Sequence, residues 1–218
     1  MNKQQSGFTL VEIAIVLVII GLLLGGVLKG QELINSAKVK SLANDFRSIP
    51  TFIYGYQDRF RSLPGDDRDA TRVGGTTATT NGTRGNGVID GLWDSEITTE
   101  ESFLFWQHIR LANLAVGSTT FSGATGLAAF VPRNAEGGRI GVQGLAPMAG
   151  WNGTFFACSG LIPGRFAKQL DTTMDDGDST TGTVRVFTNA AFAATGLGAN
   201  VAQASVADAT QYTVCIGY

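Results

Sequence analysis

The chain has 218 residues, with 16 lysines and arginines against 18 aspartates and glutamates, a net charge of -2, and only 16% charged residues. That balance provides no basic excess for phosphate neutralisation, so it argues against a nucleic-acid partner. The length accommodates one apolar helix and one globular domain with an ample core, and the 29 glycines suit short strands and long turns in an exported domain better than a cytosolic enzyme.

From Phe8 to Leu28 every residue except Thr9 and Glu12 is apolar or glycine. At 1.5 Å of rise per residue this run forms a helix that crosses a hydrocarbon core of about 30 Å. Ahead of it lies a short polar leader with one positive charge, Met1-Asn2-Lys3-Gln4-Gln5-Ser6, and then Gly7. A secretory signal carries its cleavage site after the apolar run. Here cleavage after Gly7 leaves the whole helix on the mature chain, beginning at Phe8. Glu12 is costly in a lipid-facing helix and calls for a partner. An α-amino group freed at Phe8 of a staggered neighbouring copy meets that need; the alternative is a signal anchor whose Glu12 snorkels to the interface.

Gly7-Phe8-Thr9-Leu10-Val11-Glu12 resembles the processing site of the type IV pilin superfamily, which comprises type IV pilins, competence pilins and type II secretion pseudopilins. The resemblance implies an α+β, type IV pilin-like fold, in which a long N-terminal helix packs on a C-terminal antiparallel sheet domain. It divides the chain into a leader (1–7), a transmembrane and filament-core helix (8–30), an amphipathic continuation (31–62) and a globular head (63–218). It implies that a prepilin peptidase cuts between Gly7 and Phe8 and methylates the amine of Phe8, and that Glu12 docks the subunit onto the next. The partners implied are further copies in a helical filament, other pilins, and an inner-membrane platform protein with its assembly ATPase. The location implied is the bacterial inner membrane as a single-pass protein with a periplasmic head, then a pilus or pseudopilus. Three later stretches, Leu63-Pro64-Gly65-Asp66-Asp67, Trp106-Gln107-His108 and Asp175-Asp176-Gly177, resemble a subgroup described only as pilin-like or secretion-like.

Gly21 with Gly25 and Gly26 with Gly30 make two small-xxx-small spacings, which permit close helix contacts while weakening the helix. The stretch from Gly21 to Gly30 is therefore expected to melt or bend when packed, although Lys29 stands in this region rather than the proline of many pilins. Val39, Leu42, Phe46, Ile49, Ile53, Tyr56 and Phe60 then form one helical face. Pro50 predicts a bend, and Leu63-Pro64-Gly65 an end.

Residues 66–99 read as a long loop. Within it Asn86, Asp90, Asp94 and Glu96 are candidate calcium ligands, although the alternating acid spacing of a calcium loop is missing; a polar turn is the alternative. Thr98 and Glu101 match a capping box opening a helix from about Thr99 to Ala115. His108, the only histidine, reads as a packed or hydrogen-bonded side chain rather than a metal ligand or general base. Strands are expected at Gly126–Val131, Arg139–Leu145, Thr154–Ser159, Thr183–Thr188 and Tyr212–Ile216, with a helix at Pro163–Met174. That helix is stopped by an acidic cluster, in which Asp175, Asp176 and Asp178, near Asp171, are the second set of candidate calcium ligands; a solvated turn is the alternative.

Lys3 should hold the leader in the cytoplasm, which places the two cysteines, Cys158 and Cys215, outside, where disulfides persist. A bridge between them is expected to stabilise by roughly 4 kcal/mol in the chain-entropy model. The disulfide-closed C-terminal loop of many pilins favours it, and two buried free thiols are the alternative. The sequence has no Gly-x-Ser-x-Gly, no Walker loop and no histidine or cysteine cluster for zinc, so the expectation is a building block and not an enzyme. A membrane-anchored exported binding protein, such as an adhesin or DNA-uptake minor pilin, is the rival reading.

Overall fold

The computed structural model describes residues 9–80, 82–189, 198 and 200–218. Gly7 and Phe8, where processing is expected, lie outside the described residues. The chain divides into two units, residues 1–38 and 39–218. Helix α1, Leu10–Phe60, begins in the first and ends in the second.

In the first unit the helix is apolar and uncovered. It is long and apolar enough to cross a membrane, and its most hydropathic window is 0% buried. Lys29 and Glu32 form an exposed ion pair at 2.6 Å at the polar edge of that stretch.

The second unit is built around the amphipathic half of α1. Val39, Leu42, Ala43, Phe46, Ile49, Ile53 and Tyr56 are buried, the stripe that three- and four-residue spacing predicts. Pro50 does not end the helix. Proline has no N–H to donate to the carbonyl four residues back. The Phe46 carbonyl instead accepts a hydrogen bond from the Tyr218 hydroxyl at 2.9 Å. A residue remote in sequence thus supplies the donor that the helix lacks.

The remaining elements are α2 (Glu101–Leu111), α3 (Gly123–Phe130), β1 (Ile140–Gln143), β2 (Phe156–Pro163), α4 (Gly164–Met174), β3 (Val184–Thr188) and β4 (Gln211–Gly217), with 3₁₀ turns at Ala70–Val73 and Gln203–Ser205. The four strands form one antiparallel sheet in the order β1-β2-β4-β3. Alternate residues along a strand face opposite sides, and here both sides are buried. Ala157, Val142, Val184, Val186, Val214 and Ile216 join the main core with α1, α2 and α4. Phe156, Cys158, Phe187 and Cys215 face the other way, beneath Trp93 and Trp151. Gly141 admits this second layer, because a Cβ there would lie 1.8 Å from the Trp93 carbonyl oxygen.

Three expectations fail. Residues 126–131 are helical within α3, not a strand; Phe130 is packed against Phe103, with ring centroids 4.7 Å apart, and its carbonyl takes the Arg110 guanidinium at 2.7 Å. The helix expected over 99–115 is the shorter Glu101–Leu111, and the Thr98–Glu101 capping box does not form. Glu100 is the N-cap residue without a side-chain cap bond, because the Glu101 carboxylate is drawn to the Asp90 N–H at 2.8 Å.

Candidate functional site

Two regions carry the chemistry, and each belongs to one unit. In the first unit the helix opens with a reciprocal cap. Glu12 Oε2 accepts from the Thr9 N–H at 2.8 Å and from the Thr9 hydroxyl at 2.9 Å, while the Glu12 N–H donates to Thr9 Oγ1 at 3.3 Å. This is a capping box. The Thr-x-x-Glu spacing of this box is present in the sequence at Thr9 and Glu12. The carboxylate of a single chain is therefore already satisfied by its own helix start.

Below it the helix presents an unbroken apolar surface. Leu10, Val11, Ile15, Leu17, Val18, Leu22, Leu23 and Leu24 are all exposed. A Cβ placed on Gly21, Gly25, Gly26 or Gly30 meets nothing within 4 Å. Among the described residues no packing requires those glycines, and close approach by another helix is the use that small residues at this spacing serve. In the single chain the helix continues through all four.

Residues 2–28 match the family model of the prokaryotic N-terminal methylation motif. They carry the signature of type IV pilins and pseudopilins. Comparisons with curated proteins and with solved structures found no match for the chain. The methylation motif marks a prepilin-processed, pilin-like protein, and it implies cleavage by a prepilin peptidase and assembly with other pilins. Its apolar helix fits a precursor anchored in the inner membrane.

In the second unit α2 is buried on every side, and its polar residues hold the loops that cross it. His108 Nδ1 accepts from the Gly65 N–H at 2.9 Å and Nε2 faces the Thr76 carbonyl at 2.8 Å, which fixes a neutral ring protonated on Nε2. Burial pushes its pKa below the ordinary histidine value. Gln107 bonds the Thr76 N–H at 2.8 Å and the Thr119 carbonyl at 3.1 Å. His108 thus clamps the Leu63–Gly65 turn.

The glycine-rich loop at 85–90 is organised by carboxylates accepting backbone N–H groups. Asp66 takes the N–H groups of Gly85, Asn86 and Gly87, the last at 2.8 Å, and Glu101 takes that of Asp90. Asn86 Nδ2 bonds Asp90 at 3.1 Å, whereas Arg139 bonds the Asp94 carbonyl at 3.0 Å and pairs with Glu96. Asn86 and Asp90 are thus bonded to each other, and Asp94 is tied to Arg139 through its backbone carbonyl. Burial, with Asp66 and Asp90 adding repulsion, raises the Glu101 carboxyl to about 8.

Cys158 and Cys215 sit directly opposite in the β2–β4 register and are joined. Of the acidic cluster after α4, Asp175 and Asp176 lie together with Asp171. Asp178 turns away, its Oδ1 accepting from the Thr180 N–H at 2.9 Å and hydroxyl at 2.7 Å.

Proposed function

We propose that this protein is a structural subunit of a type IV filament, either a pilus or a type II secretion pseudopilus. In this reading residues 1–7 are the leader, residues 8–30 the membrane and then filament-core helix, residues 31–62 its amphipathic continuation and residues 63–218 the head. Prepilin peptidase cuts between Gly7 and Phe8 and methylates the Phe8 amine, and the platform protein and its ATPase lift the subunit out of the inner membrane into the filament. The observation that carries this reading is the methylation motif seated on a helix whose apolar side chains are exposed among the described residues. Such a surface needs lipid or other copies of itself.

Assembly is then an exchange at Glu12. The carboxylate gives up the Thr9 donors for the charged Phe8 amine of a neighbour, in a water-poor core where an uncompensated charge costs several kcal/mol. Glu12→Ala, expressed without wild type, should be cut after Gly7 and held in the membrane as monomer, since removing the acid favours insertion. Sheared filaments should be missing. A normal filament yield, or a mature chain still beginning at Met1, would overturn the reading in favour of a plain anchor.

A further inference from the structure

The connection from α4 to β3 gathers carboxylates for which the filament reading has no use. Asp171, in the last turn of α4, is 0% exposed, and neither of its oxygens has a hydrogen-bond partner of regular geometry. The charges of Asp176, Asp175 and Asp178 crowd it, and the Gly177 N–H is the backbone donor turned toward it. A buried carboxylate with so little hydrogen bonding is a costly group for a fold to hold. The helix adds to the cost, because α4 has no basic residue in its last turn and its C-terminal end is the negative pole of the dipole. Arg185 tempers Asp176 and Asp178.

One oxygen from each of Asp171, Asp175 and Asp176 lies within 4.8 Å of the others, the one such group of acidic, histidine or cysteine side chains among the described residues. The two outer carboxylates are already oriented. Asp175 Oδ2 accepts the N–H groups of Thr183 and Val184, the latter at 2.8 Å, and Asp176 accepts the Asp178 N–H at 2.9 Å and the Thr181 hydroxyl at 2.5 Å.

We propose that Asp171, Asp175 and Asp176 form a calcium site that ties the end of α4 to the loop entering β3. The donors are all hard oxygens, which select calcium, magnesium or manganese over softer metals. Calcium accepts irregular sets of carboxylate oxygens, whereas magnesium demands near-ideal octahedral geometry and sheds its waters reluctantly. The poorly satisfied oxygens of Asp171 receive a strong partner, and the negative end of α4 receives a cation.

The test is calorimetric titration of the full-length protein in detergent with calcium chloride, together with thermal unfolding in ~1 mM calcium and in chelator, a concentration at which extracellular calcium modules are filled. Calcium should bind saturably and raise the Tm, with magnesium weaker. Asp171→Asn should melt higher than wild type in chelator, since it removes a buried charge, yet gain nothing from calcium. Should that variant not fold, Asp176→Asn, at an exposed position, should lose at least about tenfold in affinity, while Asp178→Asn stays within about twofold. No heat and no Tm shift in wild type, or wild-type binding by Asp176→Asn, would overturn the site.

Discussion

Replacing Tyr218 by phenylalanine deletes one hydroxyl and keeps the ring, which stacks on Phe155 with centroids 5.0 Å apart. The hydroxyl is the donor to Phe46 O, a carbonyl that Pro50 leaves without its helical partner. Phe46 is 1% exposed, so water has little access to take the place of the lost donor. An orphaned buried acceptor costs about 1–3 kcal/mol, and since this bond is partly buried we expect Tyr218→Phe to lose about 1–2 kcal/mol. The decisive measurement is a double-mutant cycle with Pro50→Ala, which restores an N–H facing Phe46 O. In that background the same hydroxyl deletion should cost less than about 0.5 kcal/mol, leaving a coupling of about 1 kcal/mol between residues remote in sequence. Urea unfolding of the full-length protein in detergent, followed by tryptophan fluorescence, reads both legs. Equal losses in the two backgrounds would refute the idea that Tyr218 compensates for the proline.

Glu101, raised from 4.5 to about 8 by burial with Asp66 and Asp90 adding repulsion, keeps in the folded state a proton that the unfolded chain releases. Its contribution to stability is therefore intact below pH 4.5 and is lost as pH rises through about 8, with a slope approaching ~1.4 kcal/mol per pH unit in between. His108, lowered by burial, acts in the opposite sense but finishes near its unfolded value of 6.5, and Asp45 and Asp171, raised to about 6 by burial, are ionised by then. Denaturation at pH 7 and pH 8 should thus show a fall that Glu101→Gln abolishes. For the Cys158–Cys215 bridge, with a sequence separation of 57, the double substitution to alanine should cost about 4 kcal/mol by loop entropy, and alkylation of the unreduced, denatured wild type should find no thiol.

What the sequence determined by itself was whatever depends on local order. The apolar run behind Gly7, the Val39 to Tyr56 stripe, α4 and four of the five expected strands follow from hydrophobic period, and the methylation motif is a contiguous string. Tertiary structure decided the rest. Gly126–Val131 reads as a strand by composition and becomes part of a helix, α3, packed on Phe103 and bonded by Arg110. Thr98 and Glu101 match a cap, yet the long-range pull of the Asp90 N–H takes the carboxylate. Asn86 and Asp90 bond each other while Asp94 is tied through its carbonyl to Arg139, and Asp171 joins Asp175 and Asp176 because one turn of α4 brings its carboxylate back to the loop. Periodicity reports which face an element buries; it carries no information on which distant donor or acceptor will compete for a polar side chain, because that competition exists only once the chain has folded.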